Sequence, residues 1–163
     1  YAGQASGAVL GIVPEIQKMQ ALHPELKVLL SLEEKHRRAE YPADWILLQE
    51  PIKDIHSLMY YSAGLVSSGD SMAREAALLG VPAYYLGIRY DMPANAAAAK
   101  VAQLQNLKTQ PIADWLTNTL SIDPEAAEWH QQQLRTHIND TFIDINAYML
   151  SLVENVKNKT NEK

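Results

Sequence analysis

An α/β domain with a parallel sheet of at least four strands and helices on both faces is what this sequence predicts, and three observations predict it. Residues 65–82 (LVSSGDSMAREAALLGVP) read as strand, tight turn, helix and stop: a short apolar run ends at Ser67-Ser68-Gly69-Asp70-Ser71, a helix-forming run follows, and Gly80 and Pro82 close it. Near-continuous apolar runs at 26–32 (LKVLLSL), 45–49 (WILLQ) and 81–86 alternate with helical stretches, the pattern of βαβ units whose strands are buried on both faces. Finally, 163 residues, 47% of them hydrophobic and 20% charged, suffice for one well-buried core and not for two.

The same composition excludes several partners. A net charge of −5 argues against nucleic acid or an anionic membrane surface, since both reward a basic face. No apolar run approaches the roughly 20 residues that span a bilayer. Cysteine is absent, so disulfides, Cys-ligated zinc and thiol nucleophiles are out, which fits a cytoplasmic protein. The chain opens at Tyr1 without a Met, as a fragment lacking its true N-terminus would.

In chain order, residues 1–11 carry Gly3, Gly7 and Gly11 at four-residue intervals, suiting either a loop or a close-packed helix start, and match neither dinucleotide nor P-loop spacing. Pro14 and Glu15 read as the first turn of a helix to about Leu22, with Ile16 and Met19 on its apolar face and Leu22 beside them. The strand at 26–32 delivers a charge run to its carboxyl end, where Arg37 and Arg38 are candidate anion contacts because guanidinium offers a planar fork to phosphate. After the strand at 45–49, Pro51 and Ile52 turn into a helix over about 54–63. Beyond the strand at 81–86, a loop holding Arg89, Asp91 and Asn95 leads to an Ala-rich helix reaching about Leu104. A short helix spans 111–120, and Asp123-Pro124 starts a long one running to Val156 or beyond. This divides the chain into a ligand-binding portion, 1–122, and a C-terminal helical extension, 123–163.

That last helix carries Ile138, Phe142, Ile145, Met149, Leu152 and Val156 at 4-3-4-3-4 spacing, a seam that requires cover. Packing back on the parent domain is the expected cover, and a homodimer contact the alternative. His130, His137 and Asp144 share a face at seven-residue steps, too far apart to ligate one metal, so no metal or other cofactor is expected. Residues 155–163 read as a polar, frayed end.

The turn at 67–71 is where chemistry concentrates. The first amides of a helix have no internal partners and carry partial positive charge, so an anion, often a phosphate, satisfies them. In open α/β sheets ligands sit beyond the carboxyl ends of the strands, where Ser68, Gly69, Asp70 and Ser71 fall, as do Arg89, Asp91 and Asn95. The competing account of the turn is that Asp70 or Ser71 simply caps the helix.

The string MYYSAGLVSSGDSMAREAALLGVPA resembles the signature of a family of bacterial and archaeal proteins related to UDP-N-acetylglucosamine 2-epimerase and to glycosyltransferases of the two-domain GT-B architecture. Gly69, Met72, Arg74, Glu75, Ala76, Ala77, Gly80 and Pro82 match its Gly-Gly-Thr-Met, Arg-Glu-Ala-Ala and Gly-x-Pro elements, with Ser71 in place of Thr. Asp70 departs from it, standing where the second Gly belongs and setting a carboxylate where relatives face a diphosphate. The resemblance implies a Rossmann-like domain like the carboxyl-terminal half of a GT-B protein. It implies Glu75 as a ribose contact, Ile52 near the base, and one of Arg89, Asp91 and Asn95 at the sugar. An amino-terminal half, absent here, would complete the cleft. The expected function is therefore the binding half of a UDP-sugar transferase or epimerase-like enzyme, with Asp91 the one acid or base weighed and no catalytic set assigned. The alternative is a non-catalytic binding or interaction module whose phosphate site Asp70 has closed.

Overall fold

The computed structural model describes residues 8–49 and 51–161, with side chains as far as Glu154. Gly3 and Gly7, the side chain of Val156 and the last two residues of the polar end lie outside the described residues; residues 8–10, the end of the Gly-rich lead, are helical. Helix α1 (Val13–Leu22) buries Ile16 and Met19, whereas Leu22 stands 68% exposed. There follow β1 (Leu29–Leu30), a 3-10 turn (Lys35–Glu40), β2 (Ile46–Leu47), α2 (Ile55–Tyr60), β3 (Leu65–Ser67), α3 (Asp70–Leu78), β4 (Ala83–Tyr85), α4 (Pro93–Val101), β5 (Leu104–Asn106), α5 (Ile112–Leu120), α6 (Pro124–Thr141) and α7 (Ile145–Asn161).

All pairing is parallel, as βαβ connections require. The strands form two sheets, however, β1-β2 and β3-β4-β5, where one sheet of at least four was expected. The run at 26–32 narrows to two paired residues because only one of its faces meets the core. Leu30 is buried, while Leu29 and its partner Ile46 stand 42% and 47% exposed. The fifth strand, β5, replaces the end of the predicted Ala-rich helix. Ala102 is extended, and Leu104 turns inward beside Ala83, so pairing with β4 overrides local helix preference.

Strand β4 lies at the centre and is buried on both faces. Its side chains alternate between two clusters: Tyr84 joins Ile12, Ile16, Leu30, Trp45 and Trp115 on one side, and Ala83 and Tyr85 join Met59, Ala73, Ala76, Ala77 and Ala98 on the other. Helices therefore cover both faces, as expected. The Tyr84 hydroxyl donates to Gln110 O at 2.6 Å, which keeps this wholly buried phenol satisfied.

Helix α3 approaches the sheet closely because its inner face is Ala73, Ala76 and Ala77, all fully buried. It ends in a Schellman motif, with Val81 N–H donating to Ala76 O and Gly80 N–H to Ala77 O. Gly80 takes φ +79°, and a Cβ there would stand 2.8 Å from Gln131 Cα. Helix α6 uses that gap to dock: Leu134 is buried and Gln131 Nε2 donates to Tyr60 O at 2.9 Å.

The single C-terminal helix expected from Pro124 onward is two. It breaks over Phe142, Ile143 and Asp144, where Phe142 is extended and Asp144 caps α7 by accepting from Asn146 and Ala147 N–H. Thr141, Phe142 and Ile143 are all poor helix formers, and an Asp follows them, so a new N-terminus forms there. Asp144 thus does not share one helix with His130 and His137. The seam side chains of Phe142, Ile145, Met149 and Leu152 are 47–58% exposed.

Candidate functional site

Three strands, β1, β2 and β3, end on one side of the molecule, and the turn after β3 sits there. Ser67 Oγ accepts from Gly69 N–H at 2.9 Å, which shapes the turn. Gly69 is the N-cap of α3 and has no side chain to cap with. Neither Asp70 nor Ser71 substitutes for it, so the capping account of this turn fails and the helix starts without a side-chain cap.

The Asp70 carboxylate turns aside instead. It accepts from Arg89 Nη2 at 2.7 Å and lies 3.2 Å from Arg74 Nη1. Arg74 is held in place by Asn95, whose Oδ1 accepts from Nη1 at 2.7 Å, and Arg74 Nη2 reaches Ser71 Oγ at 3.4 Å. Asn95 Nδ2 donates to Arg89 O at 2.6 Å, so one amide buckles the β4–α4 loop to α3. Burial pushes the Asp70 carboxyl up, but the bonds and charges of Arg89 and Arg74 outweigh it and hold the group below the usual Asp value. Two guanidiniums on one carboxylate leave the cluster with a formal charge of +1 at the positive end of a helix. Arg89 is half exposed, while Asp70 is 13% exposed.

An open groove of about 450 Å³ is lined by Ser31, Pro51, Ile52, Ile55 and Met72, the last of these in the first turn of α3, two residues after Asp70. Two of the residues singled out from sequence, Ile52 and Met72, therefore meet in one cavity at the strand ends. Partly buried Ser68 lies in the adjoining turn.

Other candidates are placed elsewhere. Glu75 pairs with His56 Nε2 at 3.2 Å and lines a second groove, of about 440 Å³, with Leu78, Leu79, Ile138 and Phe142. Arg37 donates to both oxygens of Glu40, at 2.7 and 2.6 Å, and lies 3.6 Å from Glu34. Arg38 is no anion contact: it donates to the carbonyls of Tyr41, Ala43 and Trp45 at 3.1, 3.0 and 2.8 Å. Asp91 is 86% exposed and faces Lys108 Nζ at 3.4 Å, which also sits 3.9 Å from the Tyr90 ring centre. Asn95 is 2% exposed with both amide ends bonded, so it holds the loop and does not face a sugar.

Sequence reasoning left two contributors without a role. Arg74 stands four residues after Asp70, an ion-pair spacing that a helix brings together. Ser31 follows β1 at the carboxyl edge, where ligands of such sheets gather. Among the described residues no three His, Asp or Glu side chains converge as a metal site, and no helix is long and apolar enough to cross a membrane. Comparison with family models, with curated proteins and with solved structures finds no match to this chain.

Proposed function

We propose that this domain binds a nucleotide or nucleotide-sugar, with UDP or a UDP-sugar the first ligand to test. The carrying observation is the uncapped start of α3, whose first turn supplies Asp70 to a cluster of net charge +1 and Met72 to an apolar groove. The amides of the first turn and the half-exposed Arg89 suit a diphosphate, and Ile52, Ile55 and Met72 suit the face of a base. The resemblance at 57–83 supports the same assignment, and on that reading the chain is the binding half of a transferase or epimerase-like protein, with the chemistry completed by another domain. Asp70, the departure from that signature, does not by itself repel phosphate here, because its charge is more than matched by Arg74 and Arg89.

Calorimetric titration with UDP, UDP-N-acetylglucosamine, GDP and CDP, together with amide shift mapping of residues 68–72, tests this. Binding with shifts at those amides upholds it; no binding below the millimolar range and no shifts overturn it. A second reading rests on the Asp70–Arg89 contact itself: the module has lost ligand binding and Asp70 holds the site shut. Asp70→Gly separates the two, since affinity that appears only in that variant supports closure.

A further inference from the structure

Eight large apolar side chains between Phe142 and Val153 are each 47–72% exposed. Six of them, Phe142, Ile145, Tyr148, Met149, Leu152 and Val153, lie on one seam or its flanks, and half-exposed residues in that number approach the roughly 800 Å² that each partner gives to an interface of standard size. Such an area also exceeds the roughly 300–600 Å² of the largest apolar patch on a typical monomer. The surface is continuous with the groove between α3 and α6, because Phe142 lines that groove together with Leu78, Leu79 and Ile138.

The pattern within the patch says what kind of surface fits it. Ile145, Met149 and Leu152 follow each other at four and three residues, the spacing of a seam between two helices. Positions flanking such a seam choose the partner by charge. Here they are Asn146, Tyr148 and Val153, none of them charged. Of the two acids in this stretch, Asp144 is occupied in capping α7 and Glu154 falls on the side of the helix away from the seam. Nothing along the seam repels an identical helix, and nothing selects a charged one.

We infer that α7 is a dimerisation arm, and that a second copy of this chain covers it by packing its own α7 along the same seam. The interface is then self-complementary about a two-fold axis, and each Phe142 and its groove lie at the margin of the partner's helix. It is independent of whether the cluster at Asp70 binds nucleotide.

Sedimentation velocity across a concentration series tests the inference. The wild type is expected at twice the 18.2 kDa chain mass, and Met149→Glu and Leu152→Glu at the chain mass with unchanged helical circular dichroism. Because the chain has no cysteine, Glu154→Cys carries a single nitroxide off the seam. A defined dipolar distance between two labels is expected in that otherwise wild-type chain, and it settles the matter even where a seam variant fails to fold. A wild type monomeric at every concentration, a dimer that survives both seam substitutions, or a label without dipolar coupling overturns it.

Discussion

Two regions at the carboxyl ends of the strands each carry a pair of arginines, and the two pairs use the same side chain in opposite ways. After β1, Arg37 closes on Glu40 within its own turn and Arg38 closes on three carbonyls within seven residues. After β3 and β4, Arg74 and Arg89 come from separate elements, 15 positions apart, and converge on Asp70. The first arrangement is satisfied locally: Arg37 pairs with carboxylates of its own turn, and the Arg38 guanidinium is taken up by main-chain carbonyls. The second needs Asn95 to tie its parts together, keeps a charge of +1, and leaves Arg89 half open to solvent. What distinguishes the candidate ligand contact, Arg89, from the structural Arg37 and Arg38 is that its carboxylate partner lies 19 positions away on another element while its own guanidinium stays half exposed, not its position at the sheet edge.

The contrast breaks most readily at Asn95. Asn95→Ala leaves the Arg89 carbonyl and one face of the Arg74 guanidinium without their partner, so a stability loss of about 2–4 kcal/mol is expected in urea unfolding. Nucleotide affinity should fall with it. A loss near zero would mean that the loop does not depend on the buckle.

Arg38→Met is next. It removes three hydrogen bonds from the loop around Tyr41 and Trp45 and should cost about 1–3 kcal/mol while leaving nucleotide affinity unchanged. An affinity change at constant stability would return Arg38 to the ligand side of the comparison. Arg89→Ala should do the reverse: roughly tenfold weaker diphosphate binding, as loss of one charged hydrogen bond implies, with only a modest loss of stability because Arg74 still pairs with Asp70.

Smaller effects sharpen the difference. Since the folded Asp70 carboxyl titrates below the ordinary Asp value, its ion pairs contribute stability fully above about pH 4 and lose it as pH falls through the lower folded value. Asp70→Asn should therefore lower stability most at neutral pH and least in acid, where the carboxyl is already protonated, and so flatten the acid limb of the stability curve. Equal acid limbs in the two proteins would argue that the pairing is absent in solution. Arg37→Ala should change neither unfolding midpoint nor nucleotide affinity, because its partners are exposed members of its own turn.

Much of this was readable beforehand, and what was not has physical causes. The strand–turn–helix–stop at 65–82 was legible because each boundary has a residue with a conformational reason, Gly80 above all. Covered faces and parallel pairing followed from apolar runs. Strand β5 was not legible: Leu104 is its one inward residue, and only the presence of β4 makes Gln103 to Asn106 extend. The break at Phe142 was legible in principle, since Asp144 followed by Asn146 and Ala147 is a capping arrangement, but the regular apolar spacing concealed it. In the site, Ile52 and Met72 entered through the resemblance, and the structure brings both to one groove. The separation of Glu75 from that groove, and the double use of Asn95, depend on side-chain directions that spacing does not contain.

The missing side chain at Gly80 also sets an order of events. Gln131 fits over it and reaches Tyr60, a contact spanning 71 residues, whereas the α3 turn it covers closes within five. Loop closure over such a span is slow beside local turn formation. The α3–β4 turn therefore forms first and presents a seat, and α6 arrives on it later. In the native protein the same asymmetry is expected to make α6 and α7 an opening unit, and hydrogen-exchange measurement should find their amides exchanging at lower free energy than those of β3, β4 and β5.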